Sequence, residues 1–240
     1  MGSSNRDTIS VNECQILAHY KYEAEQFIIT LACPEIANTT LPGQFVHLSV
    51  SGMLAMRRPI SVMSVDKTNG TFDLLYKIVG EGTRQLAERK IGDMLSVIGP
   101  IGNGFKMTDK KNPLLIGGGV GMPPIIAIAQ YIKDNNFYNP YVILGSEIPF
   151  PFKTIVSNLS GFYSSKLHTM PQLEEWKIAC GLTSLQSYEG VYNGFVTGLA
   201  KEYLDSLSEN ELQEIEIYSC GPHPMLSLIH ISEPTRRRGI

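Results

Sequence analysis

Near Lys110 the chain changes its hydrophobic period, and that switch constrains the fold more than any other feature of the sequence. Before it, apolar and β-branched runs follow one another with turn signals between them: ISVNECQILAHYKY, EQFIITLAC, then QFVHLSV after Pro42-Gly43. RRPISVMSV comes next, and TFDLLYKIV follows the turn Thr68-Asn69-Gly70. In TFDLLYKIV, Phe72, Leu74, Tyr76 and Ile78 fall on one face and Asp73 and Lys77 on the other, the two-residue alternation of a half-buried strand. A short helix is predicted over GTRQLAERK, and MLSVIGPIG reads as a further strand. Strands at this spacing predict a small antiparallel barrel.

After the polar junction NGFKMTDKKNP the pattern alternates. NPLLIGGGVG is an apolar strand entering a glycine turn, PPIIAIAQYIKDNN has a helical period, and YVILGS is a buried strand. GFVTGLAKEYLDSL then reads as turn and helix, and EIEIYSCG as another strand. Strand and helix in alternation imply a parallel sheet faced by helices. Residues 148–188 show no clear period. The domains expected are a barrel over 1–105 and an α/β domain over 106–226. Residues 227–240, SLIHISEPTRRRGI, are expected to form a tail foreign to the fold.

Four segments have the chemistry to hold a ligand. In GGGVGMPP (Gly117 to Pro124) a strand ends in glycines and opens a helix, leaving backbone N–H groups free for a pyrophosphate. The spacing departs from G-x-G-x-x-G, and no acidic ribose reader stands about 20 residues on; a tight turn without a ligand is the plainer alternative. In CGPHPM, Cys220 sits at a strand's carboxyl end, where open α/β sheets place their ligands; a buried small cysteine is the alternative there. In RRPISV, Arg58 offers a rigid fork for a phosphate oxygen, beside Pro59, Ile60 and the hydroxyl of Ser61; solvated surface arginines are the alternative. GEGT, Gly80 to Thr83, is a second potential phosphate cradle with Thr83 as hydroxyl donor; a common Gly-Thr turn is the alternative.

Composition narrows the function. With 23 acidic and 20 basic side chains, a net charge of −3 and no long basic run, no nucleic-acid or membrane-surface partner is expected. No segment approaches the length of a membrane-spanning helix, and MGSSNRDTISV lacks a signal pattern. The expectation is a soluble, cytoplasmic protein. The four cysteines, Cys14, Cys33, Cys180 and Cys220, form no C-x-x-C pair, so neither a metal nor a disulfide framework is expected of these residues. The five scattered histidines are expected to be structural.

The ordered set RRPIS, LYKIVGEGT, GPIGNGF, GGGVGMPP, GFVTG and CGP resembles the ferredoxin reductase-like superfamily. Within it, the pattern is most similar to the electron-transfer subunits of type B dihydroorotate dehydrogenases, over about residues 8–226. The resemblance implies a barrel that binds FAD and an α/β domain that receives NAD(H) as substrate. Arg58, Pro59, Ile60 and Ser61 match the first flavin segment, Leu75, Tyr76 and Lys77 the second, and Gly82 with Thr83 the pyrophosphate turn. Gly117, Gly118, Gly119, Gly121, Cys220, Gly221 and Pro222 match the nicotinamide side. The cofactors carry the hydride chemistry, so no catalytic side chain is expected.

In the family, a cysteine-rich segment after CGP ligates a [2Fe–2S] cluster, and those ligands are not in this sequence. The partner implied is an FMN-containing dihydroorotate dehydrogenase catalytic subunit in a heterotetramer that serves pyrimidine biosynthesis. A stand-alone NAD(P)H:flavin or ferredoxin reductase, or a non-catalytic FAD-binding module, would share the same fold. The choice of NADH or NADPH stays open.

Overall fold

The computed structural model describes residues 9–50, 56–159 and 167–232, the last five as backbone only. By contacts the chain divides into two compact units. The first holds residues up to 107 together with Pro123–Ile132 and Pro149–Phe152. The second holds Thr108–Met122, Lys133–Ile148 and the residues from Lys153 onward. Most of the tail set apart above, 233–240, lies outside the described residues.

The first unit is built from β1 (Ser10–Tyr22), β2 (Gln26–Ala32), α1 (Pro34–Thr39), β3 (Phe45–Ser49), β4 (Arg58–Asp66), β5 (Thr71–Lys77), α2 (Glu81–Ala87) and β6 (Met94–Ile101). The six strands close into an antiparallel barrel in the order β1-β2-β5-β4-β3-β6. Closure leaves no open sheet edge. The alternation along β5 works as the sequence predicts: Phe72, Leu74 and Tyr76 enter the barrel core, and Ile78 packs against it partly buried. On the other face Asp73 accepts hydrogen bonds from Thr30 Oγ1 and Ser64 Oγ, both at 2.6 Å. Leu75 is also buried, although it alternates out of the core. The helix predicted over 82–90 is shorter, ending at Ala87, and α1 has no counterpart in the sequence prediction.

The register of β4 breaks between Val62 and Ser64. Beside the break, the side-chain amide of Gln130 takes the place of a strand neighbour. Its Oε1 accepts from Val65 N–H and its Nε2 donates to Val65 C=O, each at 2.9 Å. Both backbone groups at the bulge are thereby satisfied.

The second unit contains β7 (Asn112–Gly118), β8 (Tyr141–Gly145), β9 (Ile155–Val156), β10 (His168–Thr169), α4 (Pro171–Glu175), β11 (Ala179–Ser184), β12 (Tyr192–Asn193), α5 (Val196–Asp205), α6 (Glu209–Gln213), β13 (Ile215–Cys220) and α7 (His223–Ser232). Between β7 and β8 runs α3 (Met122–Ile132), whose residues from Pro123 onward group with the barrel. Five strands pair in parallel in the order β12-β11-β8-β7-β13. From β7 the chain builds outward through β8 and β11 to β12. It then returns to add β13 on the opposite side of β7. That reversal is a topological switch point, the place where open parallel sheets form a ligand crevice.

Residues 148–188, which show no clear period in the sequence, contain β11, a central strand buried from Cys180 to Ser184. Its sequence, ACGLTS, is too small-sided to read as a strand by hydrophobicity. Small residues are what packing demands here: a Cβ on Gly181 would meet Leu199 Cδ2 of α5 and the Tyr141 hydroxyl, both at 2.7 Å.

Candidate functional site

In the barrel, the two arginines of RRPIS separate sharply. Arg57 is a structural clamp: Nη1 donates to the Ser96 carbonyl at 2.8 Å and Nη2 to Ser96 Oγ at 3.1 Å. Arg58, one residue on, opens β4 opposite Leu48, and its guanidinium lies against Gly82 at the start of α2. A Cβ built on Gly82 would fall 1.8 Å from Arg58 Nε. Two segments far apart in sequence therefore meet, and the glycine is what makes room for the cation.

The turn into α2 is held by Thr83. Its Oγ1 accepts from the N–H of Val79 at 3.0 Å and of Gly80 at 3.3 Å, and donates to Gly80 C=O at 3.0 Å. Thr83 thus acts as an internal brace and is itself buried, while open space surrounds Gly80. A planar cation beside a glycine-lined, braced turn fits a diphosphate.

The remaining barrel positions are distributed along the strands. Ile60 is buried, Ser61 half-buried and Pro59 exposed. Lys77 ends β5 half-buried. Tyr76 turns inward, stacked on Phe27 with ring centroids 5.3 Å apart and planes 11° from parallel. Its hydroxyl meets His19 Nε2 at 2.8 Å, while His19 Nδ1 lies 2.9 Å from the Arg89 carbonyl. A carbonyl can only accept, so Nδ1 is the donor to Arg89, and in that tautomer of the ring Nε2 accepts from the Tyr76 hydroxyl. Burial raises the Tyr76 phenol well above its ordinary value, which keeps that hydroxyl protonated.

In the second unit, the glycine turn and the CGP segment meet at the switch point. Cys220 pairs with Gly117 in the β13–β7 register. Gly119 adopts φ +55° with open space around its α-carbon. A Cβ on Gly121 would lie 2.3 Å from the Cys220 carbonyl oxygen and 2.7 Å from Gly221 Cα, a backbone-on-backbone approach. Met225 closes the rear: its sulfur would stand 2.6 Å from a Cβ on Gly118, with Pro222 Cδ at 3.4 Å. Burial raises the Cys220 thiol above its ordinary value, so it is a neutral, small wall rather than a nucleophile.

The sequence prediction missed the neighbouring strand ends. Ser146 and Glu147 follow β8, and Ser184 ends β11. Gln186 Nε2 donates to the Glu147 carbonyl at 3.0 Å, and Ser184 Oγ accepts from Gln186 N–H at 3.1 Å. These groups lie at carboxyl strand ends; Ser146 and Glu147 follow a strand the sequence predicts, but finding Ser184 and Gln186 requires knowing that ACGLTS is a strand. Val79 was also missed. It is 83% exposed, an apolar side chain held in water between Lys77 and the Gly80 turn. Among the described residues no cluster of three or more His, Cys, Asp or Glu could hold a metal ion, and no helix is long and apolar enough to cross a membrane.

The family model of the oxidoreductase FAD-binding domain matches residues 16–105, which include the Arg58–Gly82 corner. The "Dihydroorotate dehydrogenase B (NAD(+)), electron transfer subunit" of Listeria innocua is 34% identical over 199 residues, 80% of this chain and 68% of that protein. The protein of the same name from Geobacillus kaustophilus is 30% identical over 236 residues, 96% of this chain and 80% of its own length. The chain belongs to the family of dihydroorotate dehydrogenase B electron transfer subunits. Within this family it spans between 64% and 80% of the relatives' length.

Solved structures agree on the fold alone. An NADH-dependent reduced ferredoxin-NADP oxidoreductase superposes with a TM-score of 0.72 at 23% identity, covering 96% of this chain and 73% of that one. The ferredoxin reductase of carbazole 1,9a-dioxygenase gives 0.71 at 21%, covering 93% and 65%. The family's barrel-then-parallel-sheet order, a ferredoxin reductase-like fold, is thus present in this chain, an FAD-dependent oxidoreductase component by descent.

Proposed function

We propose that the chain is a flavoprotein electron-transfer subunit that passes electrons between NAD(H) and a dihydroorotate dehydrogenase catalytic subunit, in pyrimidine biosynthesis. The observation that carries the reading is the meeting of Arg58 with Gly82, which makes a cationic corner at the braced turn of an FAD-binding barrel. Arg58, Gly82 and Thr83 would hold the FAD diphosphate. Pro59, Ile60 and Ser61 with Leu75, Tyr76 and Lys77 would border the ring system. Gly117, Gly118, Gly119, Gly121, Cys220, Gly221 and Pro222 would receive the nicotinamide nucleotide.

Bound flavin and nicotinamide supply the hydride chemistry. The chain's own groups orient and exclude water: the glycine turn presents backbone N–H groups, and the neutral Cys220 side chain adds bulk without charge. The relatives carry NAD(+) in their name, which favours NADH over NADPH. Their designation as subunits supports assembly with a catalytic partner, and we place the pair as a heterotetramer in the cytoplasm.

The test is the visible spectrum of the purified chain before and after NADH is added without oxygen. Yellow-flavoprotein bands that bleach with NADH are expected. Bound flavin that stays oxidised leaves only an FAD-binding module, and a folded, colourless chain that takes up no FAD overturns the proposal.

A further inference from the structure

The barrel contains a pair of thiols that the electron-transfer reading does not use. Cys14 lies on β1, and Cys33 immediately follows β2. In the β1–β2 ladder Gln15 faces Ala32 and Ile16 faces Leu31; one step further along the same antiparallel register sets Cys14 opposite Cys33. Directly opposed residues of such a pair have Cα atoms about 4.5–5.5 Å apart, inside the roughly 4.4–6.8 Å that a disulfide spans. Both side chains enter the same core, Cys14 at 0% and Cys33 at 3% exposure, and each thiol is near enough to influence the other's proton affinity, while Cys14 Sγ donates to the Asn12 carbonyl at 3.9 Å. Cys33 also has a proton acceptor at hand: its Sγ donates to Glu35 Oε2 at 3.5 Å. The other two cysteines lie in the second unit.

We propose that Cys14 and Cys33 form a reversible dithiol–disulfide site, closed by a small hydroperoxide such as hydrogen peroxide. Glu35 takes the Cys33 proton, and the sulfur attacks one peroxide oxygen. An S–O bond forms and the O–O bond breaks, releasing hydroxide, which is protonated to water. The Cys14 sulfur then attacks the Cys33 sulfenic sulfur, the S–S bond forms, and the second water leaves. In sum two thiols and one hydrogen peroxide give one disulfide and two waters, the thiols losing two electrons to the oxidant. Burial raises both thiols above their ordinary range, so closure is slow at neutral pH and accelerates as pH rises. The product staples β1 to the corner where β2 enters α1, and it requires no cofactor.

The test is peptide mapping of the full chain under non-reducing conditions, after hydrogen peroxide has been added to dilute, fully reduced protein. The expected product joins the Cys14 and Cys33 peptides at about 2 Da below their summed mass, leaves the chain monomeric, and separates again with dithiothreitol. Cys14→Ala is expected to stop at a Cys33 sulfenic acid that dimedone captures. The wild-type map decides the matter even if that variant does not fold. Conversion of Cys33 to sulfinic acid without a joined peptide would overturn the pairing. So would recovery of both as free thiols under a dose that oxidises Cys220.

Discussion

In the barrel, the corner proposed to hold FAD is organised around a side-chain cation: Arg58 lies where Gly82 leaves space, and Thr83 braces the turn with its hydroxyl. In the parallel sheet, the corresponding corner is backbone against backbone, Gly121 closing on the Cys220 carbonyl while Gly119 faces open space. The difference teaches where each site can yield. A guanidinium on a flexible stem can swing away from an intruding methyl group, whereas the main chain of a tight turn packed on the main chain of a strand end cannot. The first corner should therefore lose affinity before stability, and the second stability before affinity.

The strongest way to break this comparison is Gly121→Ala. The methyl group would enter the 2.3 Å gap to the Cys220 carbonyl, and no side-chain rotation relieves that. The expected cost is about 3 kcal/mol of unfolding free energy, in the upper range of overpacking effects, measured by urea denaturation of the full chain. A loss below about 0.5 kcal/mol, the scale of neutral surface changes, would show that β13 and the glycine turn are not locked together.

Arg58→Ala probes the opposite behaviour. Removing a charge-assisted hydrogen bond costs about 2 kcal/mol, so FAD should bind roughly 30-fold more weakly, as read by flavin fluorescence titration. The melting temperature of the FAD-free protein should barely move. Arg57→Ala provides the contrast, because Arg57 holds the Ser96 carbonyl and hydroxyl; its loss should lower stability first. If the two variants behave alike, the division of labour within RRPIS is wrong.

The sequence singled out Arg58, but the clamping role of its neighbour Arg57 was not legible there. Adjacent arginines look alike until the strand's pleat sends one across the sheet to β6 and the other toward α2. Legible were the features governed by local period and turn chemistry. Phe72, Leu74 and Tyr76 alternate into the core, and the glycines after LLI end a strand as the pattern requires. β11 escaped because its residues are selected by close packing on Leu199 and Tyr141 rather than by hydrophobicity. The switch point was not legible either, since it depends on β13 returning to pair with β7 rather than extending the sheet beyond β12. The segments proposed to hold ligands stand out in the sequence, but their pairwise meetings, Arg58 with Gly82 and Gly121 with Cys220, are long-range contacts that no local pattern encodes.

Gly82→Ala sharpens the comparison from the side of the glycine. The added methyl group would stand 1.8 Å from Arg58 Nε, so the guanidinium must leave its position. The fold should tolerate this, because the displaced group is the far end of a flexible side chain. The expected effect is an FAD affinity about tenfold lower, or roughly 1.4 kcal/mol, smaller than that of Arg58→Ala because the charge remains nearby. Combining the two substitutions should add little to Arg58→Ala alone if the glycine acts through the arginine.

Gly119→Ala is the mildest of these changes and separates strain from ligand contact. No atom stands within 4 Å of the added methyl group, yet φ is +55°, a conformation that costs a residue with a Cβ about 1 kcal/mol. Stability should fall by about that amount, again by urea denaturation. If the open space beside Gly119 receives a nucleotide, NADH affinity should fall in addition, since the methyl group occupies the approach to the backbone N–H groups. A stability loss with unchanged NADH affinity would move the nucleotide away from Gly119 and leave close packing, Gly118 on Met225 and Gly121 on the Cys220 carbonyl, to explain the glycines of this turn.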